Sequence, residues 1–110
     1  MCGICGTAGF GDEQTLRRMC ERLVHRGPDA EAHVVEQQAG VVLGNRRLAV
    51  IDVAGGAQPV ASEHNDVVAV YNGEIYNFAE LRQELEGLGH RFNSQTDGEV
   101  IPHLYQEHGL

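Results

Sequence analysis

Cys2 stands directly behind the initiator methionine, and a side chain that small lets an aminopeptidase remove a preceding Met. Removal would leave one residue carrying both a thiol and a free α-amino group. An α-amino group titrates near ~8, so close to neutral pH it is partly unprotonated and can take the thiol's proton, directly or through one water. Nucleophile and base would then share a residue. Three further groups carry chemistry of a matching kind. Asn72-Gly73 follows a β-branched run, and the residues after it, Glu74-Ile75-Tyr76-Asn77, are too few for a return strand. A side-chain amide and a glycine N–H side by side are two neutral donors that can meet one developing oxyanion, although the same pair is also a hairpin-turn signal. Arg47, at the head of Leu48-Ala49-Val50-Ile51, can offer a planar fork to a carboxylate. Asp97 can cap the helix that follows it or bind an ammonium group. Taken singly, each of these three also fits a structural role.

Cys2 and Cys5 form a C-x-x-C pair, but no strand precedes it as the redox motif requires. No histidine spacing supplies the two further close ligands of a structural zinc site. No metal is expected. Cys5 and Cys20 are expected to be small buried apolar residues. The odd count of 3 cysteines, with no secretory signal, points to free thiols rather than a disulfide framework.

The elements that must position these residues alternate between strand and helix. Gly3 to Phe10 reads as a small-residue strand, and Asp12 caps a helix in which Leu16, Met19, Cys20 and Leu23 form an apolar stripe. His25-Arg26-Gly27-Pro28-Asp29 is a tight loop. Ala32 to Val35 and Val41 to Leu43 form a hairpin around Gln37-Gln38-Ala39-Gly40, and Leu48 to Ile51 continues as a buried strand. A long loop runs from Asp52 to Asp66, and Val67 to Tyr71 is a strand. Asn77 and Glu80 resemble a capping box that opens a helix with Leu81, Leu85 and Leu88 facing inward and with Gly87 and Gly89 at its end. Arg91 to Asn93 is a short strand. Gly98 to His108 is the last helix, on which His103 and Glu107 form a solvated pair.

At 110 residues, with 42% apolar and 22% charged side chains, the composition is that of one small globular domain. No apolar run approaches the roughly 18 residues of a membrane span, and no basic start precedes an apolar core. A cytoplasmic setting without a membrane partner is expected. A net charge of -8, with scattered arginines as the only cations, argues against nucleic acid as a partner.

Six blocks together resemble one family: Cys2-Gly3-Ile4, Arg26-Gly27-Pro28-Asp29, Arg47-Leu48-Ala49-Val50-Ile51-Asp52, Gly56-Ala57-Gln58-Pro59, Asn72-Gly73-Glu74-Ile75-Tyr76-Asn77 and Thr96-Asp97-Gly98-Glu99-Val100-Ile101. Their order and wording are similar to the class II amidotransferase domain of glutamine-hydrolysing asparagine synthetases, from end to end of the chain. The resemblance implies an α+β fold, the N-terminal-nucleophile hydrolase α/β/β/α sandwich with antiparallel sheets. Because such domains run to roughly twice this length, residues 1–110 are read as the N-terminal part, a fragment or a short gene product. It implies Cys2 as the nucleophile, with Asn72 and the Gly73 N–H as the oxyanion hole. Arg47 would bind the α-carboxylate of glutamine, Asp97 helped by Glu74 the α-amino group, and the backbone of Leu48 and Val50 would line the pocket. No cofactor is implied for this segment. ATP and Mg belong by resemblance to an absent synthetase domain, which would also take aspartate, and a homodimer belongs to the full-length family. The Arg-Gly-Pro-Asp and Asn-Gly-Glu-Ile-Tyr-Asn wording favours asparagine synthetase and its amide-forming relatives over glucosamine-6-phosphate synthase or the purine amidotransferase. A non-catalytic, glutamine-binding remnant is the reading from a different class.

Overall fold

The computed structural model describes residues 1–48 and 57–110. They divide into two compact units, residues 1–48 with 70–72, and residues 57–69 with 73–110. The secondary structure is α+β, and both sheets are antiparallel.

The first unit contains β1 (Gly3–Ala8), α1 (Glu13–Arg22), β2 (Ala30–Glu36) and β3 (Val41–Arg47). β3 is the central strand, in the order β1-β3-β2. The expected hairpin is present: Gly40, at φ +64, closes the turn by donating its N–H to the Gln37 carbonyl at 3.2 Å. β1 ends earlier than Phe10, because Gly9 at φ +80 turns the chain away. Asp12 caps α1 as its spacing predicts, Oδ1 accepting the Thr15 N–H at 2.8 Å and the Thr15 hydroxyl at 2.9 Å.

Leu16 and Cys20 of α1 are fully buried with Val42, which forms the core of this unit. Gly44 makes their approach possible. A Cβ there would stand 2.6 Å from Cys20 Sγ and 2.9 Å from Leu16 Cδ1, so any side chain at this position would push the helix off the sheet. The expected buried strand from Leu48 to Ile51 is not found at its first residue, since β3 ends at Arg47 and Leu48 is 36% exposed. Its other residues, 49–51, lie outside the described residues, as do 52–56 of the expected long loop.

The second unit contains β4 (Val60–Ala61), β5 (Val68–Ala69), α2 (Phe78–Gly87) and α3 (Val100–His108), with a 3-10 turn, Asp97–Glu99, leading into α3. β4 is a strand inside the expected loop, and it pairs with β5, which is shorter than the expected Val67 to Tyr71. Val60, Leu85, Val100, Pro102 and His103 are buried.

Three expectations fail in this unit for local reasons. Asn77 makes no side-chain cap, because its φ -96 and ψ 23 are turn-like rather than extended and the side chain does not reach back over the first turn. Leu88 lies past the end of α2 and is 54% exposed. Gly89 at φ +98 reverses the chain there, and the His90 and Gly89 N–H groups return to the Leu85 and Glu86 carbonyls at 3.0 and 3.1 Å. Residues 91–93 are not a strand: the Asn93 N–H bonds Glu99 Oε1 at 2.6 Å and the Ser94 N–H bonds Oε2 at 2.8 Å, where a strand would use a neighbouring backbone.

Candidate functional site

Cys2 is half-buried and sits one residue before β1, whose first residue, Gly3, pairs with Arg46. Arg47 is the last residue of β3, half-buried, and pairs on its other side with Ala30. Cys2 and Arg47 are therefore delivered to the same end of one antiparallel ladder. The Arg26-Gly27-Pro28-Asp29 loop is fastened to that end. Asp29 donates its N–H to the Arg47 carbonyl at 3.0 Å, and Arg46 Nε donates to the Gly27 carbonyl at 2.9 Å. Gly27 lies so close to β3 that a Cβ would stand 2.3 Å from the Arg46 carbonyl carbon and 2.5 Å from the Arg47 nitrogen.

Asn72 is exposed and belongs to the same unit as Cys2 and Arg47. Gly73, Glu74 and Asp97 belong to the second unit. Gly73 and Glu74 are exposed, and open space surrounds the place where a Gly73 Cβ would be. Asp97 is half-buried, opens the 3-10 turn, and accepts the Ile75 N–H on Oδ2 at 2.7 Å. The Asn-Gly-Glu-Ile and Thr-Asp-Gly blocks are thus joined by a charge-assisted bond. Leu48 is exposed and Val50 lies outside the described residues. A hollow of about 360 Å³ lined by Asp12, Glu36 and Val41 lies at the opposite end of the first sheet from Cys2 and Arg47.

Glu99 is a supporting residue that the sequence did not single out. Only 3% exposed, it holds the Asn93 and Ser94 N–H groups and also accepts the Ser94 hydroxyl, which fixes the segment leading into Asp97. Arg82 holds the same segment from α2, donating from Nη1 to the Ser94 carbonyl at 2.7 Å with its guanidinium over the Phe92 ring. Asn45 is likewise buried, and its Nδ2 has no hydrogen-bond partner among the described residues. Glu99 lies inside the Thr96–Ile101 block, but a carboxylate between a polar turn and an apolar helix start gave no sign that it would be buried.

His103 and Glu107 are not a solvated pair. His103 is fully buried, its Nδ1 2.9 Å from His90 Nδ1 and its ring 4.3 Å from that of Phe92, while Glu107 pairs with His90 Nε2 at 2.8 Å. With Glu107 accepting from His90 Nε2–H, the neutral arrangement has His103 Nδ1–H donating to His90 Nδ1. Burial, and then the neighbouring His90 ring, hold the His103 imidazole below the usual histidine range, against the pull of Glu99. In the first unit, burial and the hydrogen bond with Cys5 push the Cys20 thiol up to about 12.

A family model for the glutamine amidotransferase domain matches residues 1–110. The chain belongs to the glutamine amidotransferase domain family. It is 41% identical over 114 residues to the nodule asparagine synthetase (glutamine-hydrolysing) of Pisum sativum, covering 99% of this chain and 19% of that protein. Asparagine synthetase 1 (glutamine-hydrolysing) of Arabidopsis thaliana is 43% identical over 100% of this chain and 19% of its own length. Asparagine synthetase 1 (glutamine-hydrolysing) of Bacillus subtilis is 39% identical over 98% of this chain and 18% of its own. The amidotransferase chain thus spans about a fifth of the length of these curated relatives. No helix among the described residues of this amidotransferase domain is long and apolar enough to cross a membrane.

Proposed function

We propose that this domain hydrolyses glutamine to glutamate and ammonia through a thioester on Cys2. The observation that carries the reading is the placement of Cys2 and Arg47 at one end of the β1–β3 ladder, in a chain matched along its length by the amidotransferase family. Once Met1 is removed, the Cys2 α-amine takes the thiol proton, and the sulfur attacks the glutamine side-chain carbonyl carbon. The Asn72 amide and the Gly73 N–H receive the negative charge that develops on oxygen. The tetrahedral intermediate collapses, the protonated amine returns its proton to the leaving nitrogen, and ammonia departs. Water, deprotonated by the same amine, then hydrolyses the thioester and frees glutamate and the thiol. Arg47 binds the α-carboxylate, Asp97 with Glu74 the α-ammonium, and the backbone of Leu48 and Val50 borders the glutamine stem.

The parent fold proposed for residues 1–110 is the four-layer N-terminal-nucleophile sandwich, of which they form the N-terminal part. The names of the relatives suggest asparagine formation as the fate of the ammonia. The acceptor proposed is aspartate, activated with ATP and Mg2+ in a synthetase portion, in the cytosol, and the Cys2 chemistry depends on none of these.

The test is glutamate release from glutamine by the Met1-processed protein and by Cys2→Ala. Loss of turnover in the variant with its circular dichroism unchanged is the expected result. Turnover equal to that of the parent would remove Cys2 as the nucleophile.

A further inference from the structure

The face of the first sheet covered by α1 gathers four side chains for which glutamine hydrolysis has no use. The ladder sets Cys5, Gly44 and His33 in one row across β1, β3 and β2. Glu31, two residues before His33, projects from the same face of β2. Gly44 leaves the middle of the row open, and the two thiols fill it: Cys5 Sγ and Cys20 Sγ are 3.3 Å apart. Cys20 Sγ, a carboxylate oxygen of Glu31 and a ring nitrogen of His33 all lie within 4.8 Å of one another.

Two details show these groups incompletely matched among themselves. His33 Nε2 is buried and 2.8 Å from Glu31 Oε1, yet it is not aligned for a hydrogen bond with it and makes none with any other described residue. Glu31 Oε2 is already fixed by Arg46 Nη1 at 2.6 Å, so the carboxylate is oriented from behind while its other oxygen lies against the imidazole, with Cys20 Sγ close by.

We propose that Cys5, Cys20, Glu31 and His33 form a binding site for one zinc-class divalent cation. Two sulfurs, one imidazole and one carboxylate make a four-ligand set of the soft and borderline donors that zinc prefers over magnesium or calcium. Tetrahedral bonds at zinc lengths put ligand atoms roughly 3.3–3.8 Å apart. The sulfur pair is already at 3.3 Å, and Cys20, Glu31 and His33, within 4.8 Å of one another, would draw in around the ion, with Cys5 joining through its contact with Cys20. The charges also balance. Two thiolates and a carboxylate carry three negative charges, met by the divalent ion and the Arg46 guanidinium. Binding oxidises nothing; each thiol that becomes a ligand loses its proton to solvent, so uptake releases up to two protons per ion. The ion would fasten α1 to both flanking strands.

The probe is Co2+ added to the reduced, chelator-treated protein, followed by its absorption and then displaced with Zn2+. The expected result is thiolate-to-cobalt charge-transfer absorption together with tetrahedral cobalt bands, saturating at one ion per chain and abolished by Zn2+. Cys20→Ser should remove the charge-transfer band or weaken binding at least tenfold, and His33→Gln should weaken it at least tenfold. His33→Gln decides alone if the buried Cys20 variant does not fold by circular dichroism. Cys2→Ala should bind like the parent. Absence of the charge-transfer band, binding unchanged in His33→Gln, or loss of binding in Cys2→Ala would each overturn the site, the last by assigning the ion to the Cys2/Cys5 pair.

Discussion

Asp97 accepts the Ile75 N–H on Oδ2 at 2.7 Å, a contact spanning 22 residues that fixes the chain immediately after Asn72-Gly73-Glu74. Its carboxylate therefore has a positioning role in addition to the charge proposed to meet the ammonium group of glutamine. The two roles separate by mutation. Asp97→Ala loses both and should lower kcat/KM for glutamine by roughly 2–4 kcal/mol in transition-state terms. Asp97→Asn keeps a carbonyl oxygen for Ile75 but not the charge. It should retain the fold and still lose about 1–3 kcal/mol, chiefly as a raised KM. Full glutamine kinetics in the Asn variant would reduce Asp97 to a loop anchor.

Gly27 stands where the Arg-Gly-Pro-Asp loop meets the end of β3, with no room for a methyl group between it and the backbone of Arg46 and Arg47. Gly27→Ala forces backbone apart rather than a flexible side chain. Overpacking of this kind costs about 1–3 kcal/mol. The expected outcome is a lowered urea midpoint together with weakened glutamine use, since Arg47 shares the disturbed strand end. An unshifted midpoint would mean that the loop can lift away freely.

Glu99 is buried and accepts two backbone N–H groups, so Glu99→Gln places an amide NH2 against at least one donor that had an acceptor. A buried donor left unsatisfied costs about 1–3 kcal/mol. Thermal unfolding should move down accordingly, and hydrogen exchange at Asn93 and Ser94 should accelerate. Protection at those amides equal to the parent's would show that the carboxylate is not what holds them.

Where the determinants are local, the sequence disclosed the fold. Asp12 before an i, i+3, i+4 apolar stripe gave α1, and Gly40 between two alternating runs gave the β2–β3 hairpin. Cys2 and Arg47 were singled out by residue type and motif block, and the ladder places both at one end; the roles given to them are the proposed ones. What stayed hidden depends on how a neighbouring turn, or a side chain further along, sets the backbone. Asn77 looked like a cap until a preceding turn fixed its backbone. Asn93 and Ser94 looked like strand because their donors' true acceptor, Glu99, is reached only when the chain folds back on itself. The spacing of His103 and Glu107 was visible, but its meaning depended on His90, which the turn at Gly89 swings between them.

That histidine pair gives the unfolding equilibrium a defined pH dependence. His103 is held below the usual histidine range, first by burial and then by His90, while Glu99 and, more weakly, Glu63 favour its charged form; Glu107 acts from the far side of His90. An unfolded chain exposes the ring, which then titrates near ~6.5. The native state disfavours the imidazolium, so between its lowered value and ~6.5 the unfolded state binds more protons. The stabilising contribution is therefore complete above ~6.5 and is lost as pH falls from there toward the native value. Urea midpoints should be flat from about pH 8 to 7 and decline between about pH 6.5 and 5, above the range where most carboxylates titrate. His103→Gln should be less stable at neutral pH, because it gives up the contacts with His90 and Phe92, and its midpoint should decline less over that acidic interval. An equal decline in parent and variant would assign the pH dependence to another group.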